Sequence, residues 1–103
     1  MYGPDIQVPV YGHCAVTIDE NYNQILVIGG KVVSGAGTKD SATIFDFTTQ
    51  QWSDAGSMSV PRHRMTCTRA TLSGKDVVVV AGGGHDDNTW SSVDFYDIGL
   101  GEW

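Results

Sequence analysis

One unit of about 51 residues is written twice in this chain. Phe45-Asp46 and Tyr96-Asp97 stand 51 residues apart, as do Trp52 and Trp103. Val8-Pro9 matches Val60-Pro61 at a distance of 52, and Gly29-Gly30 matches Gly82-Gly83 at 53. The offset drifts by one or two, as expected when loops change length and strands do not. Each copy runs proline, strand, turn, strand, Gly-Gly, polar loop, strand ending in aromatic-Asp, turn, tryptophan. Such a repeat limits the possible folds: a unit this small cannot cover its own apolar surface, so neighbouring units must stack on one another.

The periodicity inside each unit points to strands. Ile25-Leu26-Val27-Ile28 and Val77-Val78-Val79-Val80 are unbroken apolar runs, each followed closely by glycines. A strand covered on both faces reads this way, because it has no solvent side to carry polar residues. No segment sustains apolar spacing at i, i+3, i+4 and i+7, so no amphipathic helix is expected. Strands are expected near 13–18, 24–29, 42–47 and 50–54, then near 65–72, 76–82 and 92–97, with a stub at 102–103. The expected class is all-β and antiparallel, with residues 58–62 linking the two units.

This order of elements resembles the kelch repeat, whose period is about 50 residues. The resemblance spans roughly residues 8 to 103. Gly29, Gly30, Phe45, Asp46 and Trp52 carry the motif in the first copy; Gly82, Gly83, Tyr96, Asp97 and Trp103 carry it in the second. It implies two four-stranded antiparallel blades of a kelch-type β-propeller. Residues 1–7 lead in, 8–57 form the first blade, and 58–103 form a second that lacks most of its last strand. Propellers typically have about 4–8 blades, so two make an incomplete ring. Either the chain is a fragment of a longer propeller or several copies assemble into one; completion of the last blade by residues 1–7 is a third option. The first copy departs from the pattern at Val10, where the second has Arg62. Phe45 replaces the commoner tyrosine, and Gly84 is an additional glycine. The resemblance also implies a packing position for His13.

Charge narrows the partners. Six Lys and Arg stand against twelve Asp and Glu, a net charge of −6. A phosphate backbone requires a basic face, so nucleic acid is not an expected partner. No apolar run approaches the ~20 residues of a membrane span, and the first residues lack a signal-peptide pattern. Cys14 and Cys67 do not amount to a disulfide framework. They read as buried free thiols in near-equivalent places on the innermost strands. That leans towards a reducing compartment such as the cytoplasm, and the sequence otherwise leaves the compartment open.

Strand parity locates the candidate site. In an antiparallel four-stranded unit, the loop between the second and third strands returns to the face where the chain came in. Loops 31–40 and 84–90 therefore share a face with the linker 58–64. Loops on a rigid scaffold are the usual seat of recognition, and in kelch adaptors this face generally receives the partner. Candidate partner-binding residues are Arg62, His63 and Arg64 from the linker, Lys31 and Lys39 from the first loop, and His85, Asp86, Asp87, Asn88 and Trp90 from the second. The basic cluster pairs with Asp86 and Asp87, is solvated, or meets an acidic partner. Trp90 packs on the blade edge or anchors a partner.

Enzymatic alternatives are poorly served. His85, Asp86 and Asp87 suit a divalent ion chemically, but three consecutive residues do not aim at one centre, so no metal or cofactor is expected. The glycine stretches lack the G-x-G-x-x-G spacing and following helix of a dinucleotide site. His13 and Cys14 are strand neighbours and point to opposite faces, which argues against a catalytic pair. The expected function is protein binding, as in the ubiquitin-ligase substrate adaptors and cytoskeletal binders of the kelch family. The alternative is a piece of a copper-dependent, galactose oxidase-like propeller enzyme, whose metal constellation would come partly from outside these blades.

Overall fold

The structure, a computed structural model, describes residues 4–6, 10–21, 23–32, 37–85 and 87–103. Among them every regular element is a strand. In chain order these are β1 (Val10–Tyr11), β2 (Cys14–Thr17), β3 (Gln24–Ile28), β4 (Lys31–Val32), β5 (Ser41–Asp46), β6 (Gln51–Ser57), β7 (Thr66–Leu72), β8 (Lys75–Ala81), β9 (Gly84–His85), β10 (Asn88–Thr89) and β11 (Val93–Asp97). The protein is all-β, and all pairings among the described residues are antiparallel.

Two sheets dominate. The first has the order β2-β3-β5-β6, and the second β11-β8-β7. Each expected strand is present, its ends close to their expected bounds; the largest difference is at β6, which runs on to Ser57. The expected stub is a single bridge, Asp97 to Glu102. The two-residue pairs β1–β4 and β9–β10 are additions, too short to leave a period in the sequence.

The sequence repeat reappears as a repeat of register. Cys14, Ile28 and Ala42 lie opposite one another in the first sheet, and Thr66, Ala81 and Val93 do so in the second. One step along, Ala15, Val27 and Thr43 match Cys67, Val80 and Asp94. Side chains alternate along a strand, so each sheet has two distinct faces, each with its counterpart in the other sheet. The face carrying Cys14, Val16, Leu26, Ile28, Ala42 and Ile44 in the first unit packs on the opposite kind of face in the second, carrying Cys67, Val78, Val80 and Tyr96. Leu26, Ile28, Val78 and Val80 are fully buried there. Each such side chain stabilises the fold by about 1.5–3 kcal/mol.

The aromatic-Asp and Trp signals have distinct duties. Asp46 Oδ1 accepts the N–H groups of Thr48 (2.8 Å) and Thr49 (3.1 Å), and Asp97 Oδ1 accepts that of Leu100 (3.0 Å). Each carboxylate thus closes the turn after its strand. The aromatic before it stacks on the tryptophan across the turn, Phe45 on Trp52 at 4.9 Å between ring centres and Tyr96 on Trp103 at 5.1 Å. Trp103 also bridges the units, its indole N–H donating to the Ala55 carbonyl at 2.9 Å. A bulge between Asp54 and Ser57 turns Ala55 into the core.

The cysteines correct the expectation of free thiols. Cys14 and Cys67 form a disulfide, with Cα atoms 6.2 Å apart and a separation of 53 residues in sequence. Nor are their places equivalent. By pairing, Cys14 corresponds to Thr66 and Cys67 to Ala15. That one-residue difference puts the two thiols on opposite kinds of face. The units stack opposite face to opposite face, so the thiols meet between them. His13 is also corrected: its side chain is exposed, not packed.

Arg69 adds a second tie between the units. Its guanidinium holds the Asp76 carboxylate, with the closest contact at 2.5 Å, and donates to the Asp19 carbonyl of the first unit at 3.2 Å. The hydrogen bond from Arg69 lowers the Asp76 pKa below the usual carboxylate range. The pair is partly exposed, so solvent screens it.

Candidate binding face

The linker is laced to both Gly-Gly loops, as strand parity requires. Towards the first loop, the Met58 N–H donates to the Asp40 carbonyl at 2.7 Å, and the Gly30 N–H donates to the Arg62 carbonyl at 2.8 Å. Towards the second, His63 and Gly84 exchange backbone hydrogen bonds at 3.0 Å. Glycine is required at these approaches. A Cβ on Gly29 would lie 2.5 Å from the Arg62 carbonyl oxygen, and one on Gly83 would lie 2.7 Å from that of His63.

Arg62 overturns its reading as a surface contact. Its side chain is 0% exposed. All five of its N–H donors are used: Nε and one Nη2 donor on Asp94 Oδ2, two Nη1 donors on the Gly82 and Ser92 carbonyls, and the last on Ser92 Oγ, between 2.7 and 3.3 Å. Its ionic partner among the described residues is Asp94, at 2.9 Å, rather than Asp87. Ser59 supplies two further donors to the same carboxylate. The signal for this clasp was present in the repeat. Where the first unit has Val10 for Arg62, it has Thr43 for Asp94, so both charges are absent together.

Trp90 packs. It is half-buried, and its indole N–H donates to the Pro61 carbonyl at 2.7 Å. Lys31 is half-buried on β4, opposite Tyr11. Lys39, also half-buried, joins loop to linker through its backbone, donating to the Gly30 carbonyl and accepting from the Arg62 N–H. His85 is half-buried and pairs with Asn88 in the β9–β10 hairpin. Asp87 and Asn88 are exposed; Asp86 lies outside the described residues.

His63, Arg64, Gly83, Gly84, Asn88 and Thr89 together line an open cleft of about 350 Å³. The His63 Nδ1 lies 2.7 Å from the Gly84 carbonyl oxygen. A carbonyl only accepts, so Nδ1 carries the proton and Nε2 is the nitrogen left to face other groups. Arg64 is exposed, and its backbone is left-handed at φ 58°. The equivalent residue of the first unit is Gly12, at φ 67°, and the Arg64 N–H donates to the Gly12 carbonyl at 2.7 Å. The fold therefore asks for the same backbone twist at both places. A glycine supplies it without strain; Arg64 adopts it at a cost of order 1–2 kcal/mol. Sequence reasoning grouped Arg62 and Arg64 together, and only the backbone separates them. Among the described residues, no three His, Cys, Asp or Glu side chains are grouped to hold a metal ion.

No protein-family model matches the chain, and no curated protein matches it.

Proposed function

We propose that this chain is a two-unit portion of a kelch-type β-propeller and binds a protein partner through the face formed by its linker and two Gly-Gly loops. The repeated register supports the stacked-unit part of this reading. The observation that carries the binding part is Arg64, an exposed cation held in a strained backbone where its repeat equivalent is glycine. Gln50 has the same kind of backbone in the β5–β6 turn, opposite Gly101 in the repeat; Arg64 differs in its charge and in its place on the linker face, among the residues that line the His63–Asn88 cleft. An acidic side chain of the partner is the complementary group. The Cys14–Cys67 bond favours an oxidising compartment, against the reducing one to which the sequence leaned.

The test compares Arg64→Gly with the parent chain and with Lys75→Ala, a control outside the linker face. Proteins captured by the parent are identified and their affinities measured. Arg64→Gly is expected to weaken at least one of them tenfold or more while raising the unfolding midpoint, and Lys75→Ala is expected to leave binding unchanged. Equal capture by all three chains would end the proposal.

A further inference from the structure

The innermost strands of the two units, β2 and β7, stand side by side without a ladder, for β2 belongs to one sheet and β7 to the other. Three contacts between their segments run in step along the chain. The Arg64 N–H donates to the Gly12 carbonyl at 2.7 Å, Cys14 is bonded to Cys67, and the Arg69 guanidinium donates to the Asp19 carbonyl at 3.2 Å. The disulfide is the covalent contact of the three, and it is the neighbour of Arg64. Cys67 lies three residues beyond Arg64, and Cys14 two beyond Gly12.

The conformation of Arg64 depends on this neighbourhood. Its backbone, at φ 58°, is one that an arginine avoids unless its surroundings fix it. The bond to Gly12 fixes it, and the side chain rests on the same segment: a Cβ at Gly12 would lie 3.4 Å from Arg64 Cγ. Without a ladder to support it, that hydrogen bond lasts as long as the two segments stay together, and the disulfide keeps them together. The rest of the contact between units has other supports. Leu26, Ile28, Val78 and Val80 are fully buried in it, Trp103 is tied to Ala55, and Arg69 is tied to both Asp76 and Asp19. Both cysteines are half-buried, and disulfides that solvent reaches are the ones that exchange with thiols.

We propose that the Cys14–Cys67 disulfide is a redox latch on the binding face: intact, it keeps Arg64 on Gly12 and at the cleft; reduced, it lets β2 and β7 part at their linker ends and frees Arg64. The latch rests on the binding role given to Arg64 and adds its regulation. A dithiol opens it. One thiolate of the dithiol attacks a cysteine sulfur, which breaks the S–S bond and forms a mixed disulfide; the second thiolate then displaces that cysteine. Two electrons pass to the protein, the dithiol leaves as its own disulfide, and its two protons end on Cys14 and Cys67.

Amide hydrogen exchange read by NMR tests the latch on the chain alone. The chain reduced with dithiothreitol, and the Cys14→Ser/Cys67→Ser chain, are each compared with the oxidised chain in enough urea to match their unfolding free energy. Both are expected to remain folded by circular dichroism. The Arg64 N–H is expected to exchange tenfold or more faster than in the oxidised chain, and the Leu26 and Val78 N–H groups at matching rates. For a partner captured through Arg64, reduction is expected to weaken binding to the parent tenfold or more and to leave binding to Arg64→Gly unchanged. Equal exchange at Arg64 in oxidised and reduced chains overturns the latch, as does a partner held equally by both. A reduced chain that unfolds overturns it too, since the bond is then a plain requirement of the fold. The two proposals fail separately: capture that does not depend on Arg64 removes the binding role, while the exchange rate at Arg64 still decides whether the disulfide holds that residue.

Discussion

Replacing Asp94 with threonine, the residue that the first unit has at Thr43, removes the carboxylate that balances a guanidinium shut off from solvent. Arg62 is 0% exposed, and Asp94 takes two of its five hydrogen bonds as well as its ionic contact at 2.9 Å. Breaking such a pair from one side costs about 3–5 kcal/mol, because the remaining charge stays buried without compensation. A domain of this size has about 5–15 kcal/mol in total, so Asp94→Thr is expected to remove about a fifth or more of it. The double variant Arg62→Val/Asp94→Thr copies the Val10 and Thr43 of the first unit. It removes both charges together and is expected to be more stable than Asp94→Thr, what remains of the loss being the three hydrogen bonds to Gly82 and Ser92 at ~0.5–1.5 kcal/mol each. Urea unfolding followed by tryptophan fluorescence and circular dichroism reads both, as a midpoint change at constant slope. A loss under about 1 kcal/mol for Asp94→Thr, or a double variant no better than the single one, would refute the clasp as an energetic unit.

Reduction of the Cys14–Cys67 bond, or Cys14→Ser/Cys67→Ser, releases a closed loop of 53 residues. The expected loss is about 4 kcal/mol, between the ~3 of a 15-residue loop and the ~4.7 of a 100-residue one; an unmoved urea midpoint under reductant would contradict it. Burial raises the Tyr96 pKa above its ordinary value. The folded state then keeps the phenol proton longer than the unfolded state does. That contribution is complete below about pH 10 and is lost as pH climbs through the raised value. Tyr96→Phe should flatten this alkaline limb in a pH series of thermal melts. At the acid end, the hydrogen bond from Gln24 lowers the Asp46 pKa, and that from Arg69 lowers the Asp76 pKa. Their contributions are present above about pH 4 and disappear as pH falls through the depressed values. Asp46→Asn should therefore be less pH-dependent than the parent in acid. Gly29→Ala and Gly74→Ala both force alanine to positive φ, 61° and 78°, but only at Gly29 does the new Cβ meet backbone, 2.5 Å from the Arg62 oxygen. Gly29→Ala should cost more than Gly74→Ala by over ~1 kcal/mol, and equal costs would show that the close approach yields without strain.

The sequence alone determined the class and the strand positions of this protein. Unbroken apolar runs such as Ile25–Ile28 and Val77–Val80 can only be covered on both faces, and a 51-residue echo requires like units to stack. Strand parity even placed the linker beside both Gly-Gly loops. These are local and periodic properties, legible one segment at a time. Tertiary structure alone decided which side chains meet. Arg62 and Arg64 look alike in sequence, yet one is sealed onto Asp94 and the other is exposed on a left-handed backbone. Cys14 and Cys67 look equivalent at a spacing of 53, but the strands repeat at 52. With a side-chain period of two, that single residue turns the thiols towards each other. Pairings between distant segments depend on register and stacking together, and neither is written in any one stretch of the chain.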